Sequence, residues 1–247
     1  MASIGVIRGS GALDWDVDWR ELGDNHTDFG DGSARPVIAE VGGREVVAMA
    51  RHGEPHRYAP HAVNYRANLK LLERHGVGAI VALNTVGGIG AVAETGALIV
   101  PDQIIDYTWG RIQSFSPEDA VRHIDFSEPF DGGLRAELLR AGEIAGIRLH
   151  DGGVMGVTQG PRLETAAEIA RMDRDGCAVV GMTGMPEAVL ARELGIPYAS
   201  LSLVVNPAAG LSDSMVDLDE IRAVSEQGMT KIAELLGVFF QILEGFD

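Results

Sequence analysis

The chain contains one cysteine, Cys177, among 247 residues. A lone thiol excludes an internal disulfide, and no Cys/His cluster has the spacing of a zinc site, so neither staple nor structural metal is expected. Long apolar runs are also missing. None approaches the ~20 uninterrupted residues that a bilayer-spanning helix requires. The N-terminal stretch from Met1 to Gly11 lacks the basic segment and small-residue cleavage signal of a secreted protein, so a cytoplasmic protein without membrane contact is expected. Cations are scarce as well: 20 Lys and Arg stand against 36 Asp and Glu, a formal charge of −16. Nucleic-acid binding relies on neutralising phosphates with basic side chains, so DNA and RNA are not expected partners.

What is present suits one α/β domain spanning 1–247. Hydrophobic residues make up 46% of the chain and are spread along its length, enough for one large core. Ser3 to Ile7 reads as a buried strand running into the turn Arg8-Gly9-Ser10-Gly11. Strands near Pro36 to Val41 and Arg44 to Ala50 flank a Gly42-Gly43 hairpin turn. Ala62 to Arg74 has helical spacing, and Gly78 to Asn84 and Ala97 to Val100 read as interior strands. From Asp131 the signals alternate. A helix to about Ala145 is followed by a strand near Gly153 to Thr158 and a helix near Glu164 to Met172. A strand at Ala178 to Met182, a helix at Met185 to Leu194 and a strand at Tyr198 to Val205 come next. An apolar stripe from Leu218 to Ile242 closes the chain as a long amphipathic helix. Such alternation implies a mostly parallel sheet with helices on both faces.

The polar residues that follow the expected strands carry the chemistry, because ligands of open α/β sheets bind beyond the strands' carboxyl ends. Gly9-Ser10-Gly11 can cradle an anion with inward N–H groups and a hydroxyl, or simply turn the chain. Arg51-His52-Gly53 pairs a permanent cation with an imidazole and suits an oxyanion; the alternative is a surface ion pair in a carboxylate-rich protein. His52, His56 and His61 lie close in sequence but lack ligand spacing with a carboxylate, which argues against a metal. Asn84-Thr85-Val86-Gly87-Gly88 offers a hydroxyl and free amides, or is a glycine-rich connector. Glu164 sits near the N-terminus of an expected helix, where a capping role is the simpler reading. Asn206 before Pro207 is either a turn former or a donor and acceptor for a ligand.

Taken together these motifs resemble the trimeric purine nucleoside phosphorylases, and within them the methylthioadenosine and methylthioinosine phosphorylases. The resemblance covers nearly the whole chain. It runs through Gly9-Ser10-Gly11, Arg51-His52-Gly53, Pro60 to Ala67, Asp102 to Asp106, His123-Ile124-Asp125-Phe126, Gly160 to Thr165 and Gly181 to Glu187. It implies a three-layer αβα sandwich around a distorted mixed sheet, assembled as a homotrimer with sites at subunit boundaries. It also implies phosphate held by Ser10, Arg51, His52, Asn84 and Thr85, purine by Leu163, Glu164 and Asn206, and ribose by Met182 and Thr183. His123 would reach into a neighbouring subunit's site. Arg51, His52 and Asn206 would be the catalytic residues, inorganic phosphate the co-substrate, and no metal or cofactor needed.

Substrate preference follows from two further readings. A 6-oxopurine presents an N1–H donor and an O6 acceptor, matched by the Glu164 carboxylate and the Asn206 amide, whereas adenine reverses both atoms. Relatives that accept a 5′-hydroxyl are expected to carry a histidine near the start of the last helix. Here the segment is Met215 to Ile221, and Leu218 and Ile221 offer an apolar pocket for a methylthio group, a burial gain of ~1 to 2 kcal/mol. The expected reaction is phosphorolysis of S-methyl-5′-thioinosine to hypoxanthine and 5-methylthioribose 1-phosphate. Methylthioadenosine phosphorylase, a general 6-oxopurine nucleoside phosphorylase and a silent nucleoside-binding protein are the alternatives. Arg8 departs from the family's usual glycine, Ala12 is an insertion relative to its pattern, and Thr85 stands where alanine is common.

Overall fold

The computed structural model describes residues 2–10, 15–117, 120–212 and 218–243. In chain order the elements are β1 (Ser3–Arg8), β2 (Arg20–Glu21), β3 (His26–Thr27), β4 (Gly30–Asp31), β5 (Val37–Val41), β6 (Arg44–Ala50), α1 (Tyr65–Arg74), β7 (Val77–Gly88), β8 (Leu98–Val100) and β9 (Gln103–Asp106). They continue as α2 (Gly132–Ala145), β10 (Leu149–Asp151), β11 (Val154–Val157), α3 (Ala166–Arg174), β12 (Cys177–Gly181), α4 (Gly184–Glu193), β13 (Tyr198–Pro207) and α5 (Leu218–Ile242).

The apolar strand β7 organises the sheet. Its first half pairs in parallel with β1 on one side and β13 on the other, and β1 continues in parallel to β6. Only a strand covered on both faces tolerates so continuous an apolar run as Ala79 to Leu83. At its far end, Gly87 and Gly88 pair antiparallel with β12, which carries β11 and then β9 in parallel. Antiparallel partners also close the flanks, β5 against β6 and β8 against β13. The expectation of a mostly parallel sheet is thereby refined to the distorted mixed sheet that the family resemblance implied.

Alternation along the central strands divides the core into two halves. Ile80, Ala82 and Val86 pack with Leu69 and Leu72 of α1 and Ala188 and Ala191 of α4. Ala79, Val81 and Leu83 point the other way, onto Leu134 and Leu138 of α2 and Ile232, Leu235 and Phe239 of α5. The result is three layers, helices on either side of the sheet. Among the described residues no helix is long and apolar enough to cross a membrane.

Helix boundaries follow local chemistry. The helix expected from Ala62 begins at Tyr65, because the Asn64 side chain caps it by accepting from Ala67 N and Pro60–Ala62 forms a separate 3₁₀ turn. Asp131 caps α2 and Gly146, at φ 67°, ends it. The short strands β2, β3, β4, β9 and β10 are not expected from sequence, because each combines few residues with polar ones and so lacks the apolar run that marks the equally short β8 and β11.

Candidate functional site

The ends of β1, β6, β12 and β13 and the second half of β7 surround a cavity of about 240 Å³. Ser10, Arg51, His52, Asn84, Thr85, Leu163, Glu164, Met182, Thr183, Asn206, Leu218 and Ile221 all line it. Residues scattered over more than two hundred positions thus meet in one place. His123 does not line this cavity and is exposed on the segment leading to α2. Gly11, Ala12 and Met215 to Asp217 lie outside the described residues.

Gly9 lets β1 approach β7 closely: a Cβ there would sit 2.9 Å from the Leu83 carbonyl oxygen and 3.2 Å from Arg51 Nη1. Arg51 follows β6 and is buried rather than part of a surface ion pair. Its Nε and Nη2 each donate to the Glu187 carboxylate at 2.8 Å, and Nη1 donates to the Leu83 carbonyl at 2.9 Å. The Tyr198 hydroxyl also donates to Glu187, at 2.9 Å. Burial alone would lower the guanidinium's pKa, but Glu187 outweighs it and the net shift is upward. The cation at the cavity is therefore matched by a buried anion, and its remaining N–H groups are those available to a ligand.

Beside it, His52 Nδ1 lies 2.8 Å from the Tyr58 carbonyl oxygen. A carbonyl only accepts, so the neutral ring carries its proton on Nδ1 and presents the Nε2 lone pair. Burial and the neighbouring Arg51 depress its pKa to about 4, against the opposing pull of the Tyr58 bond, so the ring is neutral at pH 7. Its face stacks on His56 at 4.3 Å.

Asn84 to Gly88 is not a connector. These residues remain strand, paired with β13 from Asn84↔Ser202 to Gly88↔Pro207, so the amides that make this ladder are not free for an anion. The Asn84 side chain is buried in a polar chain: Thr183 Oγ1 donates to Asn84 Oδ1 at 2.9 Å, and Asn84 Nδ2 donates to Ser200 Oγ at 2.7 Å. Ser200 lies 3.1 Å from Ser202 Oγ. Serines at alternate positions of an otherwise apolar strand were the sequence signal for this network.

Asn206 is not a turn former. It stays in β13 just past a bulge, where Val205 is the extra residue between Val204↔Val86 and Asn206↔Gly87. Bulges re-aim the side chains that follow them, and Asn206 lines the cavity with Nδ2 donating to the Pro207 carbonyl at 2.6 Å. The capping role considered for Glu164 falls to Thr165, which forms a capping box with Glu168 at the start of α3. Glu164 instead accepts from Thr158 Oγ1 at 2.6 Å and borders the cavity.

Arg8 does not line the cavity; its Nη2 pairs with Glu54 at 3.0 Å, joining the end of β1 to the segment after β6. Glu187 received no role from sequence, although its place in Gly181 to Glu187 on an otherwise apolar helix face marked it. Leu218 and Ile221 supply an apolar edge from the first turn of α5.

A cavity with a charged and imidazole-bearing end, an acid and an amide elsewhere on its wall, and an apolar edge has the chemistry to hold an anion beside a purine nucleoside. The family model described as Phosphorylase superfamily matches residues 4–240. The chain is 50% identical over 213 residues to the probable S-methyl-5′-thioinosine phosphorylase of Pseudomonas syringae pv. tomato, covering 85% of this chain and 87% of that protein. It is 44% identical over 239 residues to the protein of the same name from Xanthomonas campestris pv. campestris, covering 95% and 96%. Methylthioadenosine phosphorylase from Schistosoma mansoni in complex with adenine superposes with a TM-score of 0.88 at 30% identity, covering 97% of this chain and 91% of that one. On its sequence and its fold, the chain belongs to the phosphorylase superfamily.

Proposed function

We propose that this enzyme catalyses phosphorolysis of S-methyl-5′-thioinosine, yielding hypoxanthine and 5-methylthioribose 1-phosphate. The observation that carries this reading is the meeting of Ser10, Arg51 and His52 with Glu164, Asn206, Leu218 and Ile221 around one cavity. The relatives at 44 and 50% identity, both named for this activity, support it.

Phosphate binds at Ser10, Arg51, His52, Asn84 and Thr85. Neutral His52 accepts a hydrogen bond from a phosphate hydroxyl through Nε2, and a phosphate oxygen attacks C1′ as the C1′–N9 bond breaks. Ribose passes through an oxocarbenium-like state stabilised by the phosphate charge. The departing hypoxanthine takes a proton at N7 from solvent, balanced by the one the hydrogen phosphate gives up on becoming the ester, and N7–H then donates a hydrogen bond to Asn206 Oδ1, while Asn206 Nδ2 donates to O6. Glu164 accepts from N1–H, Leu163 packs on the base, and Met182 and Thr183 hold the ribose. Leu218 and Ile221 enclose the methylthio group. In this reading the enzyme is a cytoplasmic homotrimer in which His123 completes a neighbour's site, and it needs no cofactor or metal.

A substrate panel tests the proposal. Phosphate-dependent release of hypoxanthine from methylthioinosine, faster than release of adenine from methylthioadenosine or cleavage of inosine, is the expected result. Faster cleavage of methylthioadenosine overturns the 6-oxopurine assignment. Turnover unchanged without phosphate overturns phosphorolysis, and loss of activity on chelation overturns the metal-free mechanism.

A further inference from the structure

Arg111, in the segment after β9, lies behind the cavity wall and joins two of its sides. Its hydrogen bonds among the described residues go to uncharged oxygens. Nη2 donates to the carbonyls of Thr158 and Gln159 at 3.2 and 2.8 Å, and Nε donates to Gln159 Oε1 at 3.2 Å. Nη1 donates to the carbonyl of Met182 at 2.8 Å and to that of Met185, and lies 3.4 Å from the Tyr65 hydroxyl. The guanidinium also sits over the Tyr65 ring, 5.6 Å from its centroid.

These acceptors belong to two separate walls. Thr158 and Gln159 begin the segment that leads to Glu164, and Thr158 donates through its hydroxyl to the Glu164 carboxylate. Met182 and Met185 flank the start of α4, where the backbone at Met185 and Pro186 departs from helical geometry. Carbonyls at such a kink lack regular helical partners, and a planar fork of five donors can serve several of them at once. The walls meet closely here: a Cβ on Gly160 would lie 2.6 Å from Met182 Sδ. Arg111 is itself anchored, because Ser114 Oγ, Phe115 N and Ser116 Oγ donate to the buried Glu193 carboxylate near the end of α4, at 3.0, 2.9 and 3.1 Å.

We infer that Arg111 is a positioning residue for the nucleoside: by bridging the Thr158–Gln159 and Met182–Met185 backbones it sets the separation of Glu164 from Met182 across the binding site. The inference rests on the proposed reading of the cavity. Its direct hydrogen bonds reach the nucleoside side alone: Ser10, Arg51 and His52 follow β1 and β6 and share none with Arg111, and the start of α4 touches the phosphate residues only one step further on, through Thr183 to Asn84 and Glu187 to Arg51.

The test is steady-state kinetics of the full chain with methylthioinosine and phosphate varied in turn, for wild type, Arg111→Met and Arg111→Lys. Arg111→Met should raise the nucleoside KM by about tenfold or more while the phosphate KM stays within about twofold. Arg111→Lys, a point charge that can serve one wall but not both, should fall between. Equal rises in both KM values, or an unchanged nucleoside KM, overturn the inference. If Arg111→Met does not fold, Arg111→Lys decides by the same split: a selective nucleoside effect supports positioning, and no effect or a parallel one overturns it. Wild type inactive toward methylthioinosine overturns the proposed function instead, and binding of hypoxanthine by calorimetry to wild type and Arg111→Lys then decides on Arg111: weaker binding to the variant supports the inference and equal binding overturns it.

Discussion

Arg51 Nη2 and Glu187 Oε2 lie 2.8 Å apart, with side-chain exposures of 1% and 0%. Both charges are held by more than each other, through the Leu83 carbonyl on one side and the Tyr198 hydroxyl on the other. Breaking a buried pair leaves the surviving charge without compensation, which typically costs about 3 to 5 kcal/mol. Glu187→Ala is predicted to lose that much in urea denaturation. The double variant Arg51→Met, Glu187→Leu should recover much of the stability and none of the phosphorolysis. A single variant as stable as wild type would show that the pair is not a structural element.

The histidine beside this pair makes a pH prediction. His52 titrates near 4 in the folded chain but near 6.5 when unfolded, because burial and Arg51 disfavour its charged form. Between those values the unfolded chain binds the extra proton, so stability present above pH 6.5 is lost progressively as pH falls toward 4. Denaturant titrations at pH 7 and pH 5 should show a smaller loss for His52→Gln than for wild type. Identical losses would contradict the assignment of a neutral, buried ring.

In the proposed reading, Asn206 carries the purine preference. Replacing its amide with a carboxylate removes the donor facing O6 and supplies an acceptor suited to the adenine amino group. Asn206→Asp should shift the ratio of kcat/KM for methylthioadenosine over methylthioinosine toward adenine by on the order of a hundredfold. A ratio that stays put places base recognition elsewhere.

Gly160 is a packing constraint as well as a turn. It sits at φ 58°, and a Cβ there would lie 2.6 Å from Met182 Sδ and 3.3 Å from Pro60 Cγ. Gly160→Ala is expected to destabilise the fold by about 1 to 3 kcal/mol and to displace Met182. The kinetic mark is a raised nucleoside KM with the phosphate KM preserved. Thermal melts and the two KM values measure both parts.

Much of this is legible in the sequence. The apolar run of β7 reads as an interior strand because residues 79–83 carry no polar side chain, and the glycine and Arg-His motifs read as strand-end chemistry because polar groups follow such runs directly. The resemblance to nucleoside phosphorylases then named twelve of the residues that line the cavity. The short strands β9 and β10 could not be read, since polar residues interrupt so brief a run, whereas the equally short β8 and β11 are wholly apolar.

The sequence by itself determined the layered α/β architecture, the family and the residue types of the site, because these depend on periodicity and on motifs contiguous in the chain. Partnership was decided only by the tertiary structure. Arg51 and Glu187 are 136 residues apart, and nothing local says that the guanidinium meets that carboxylate, that Tyr58 fixes the His52 tautomer, or that a bulge at Val205 re-aims Asn206. A hydrogen bond between distant residues exists only once the sheet has brought their strand ends together. For that reason sequence named the groups in the site, while the fold set their charges, tautomers and directions.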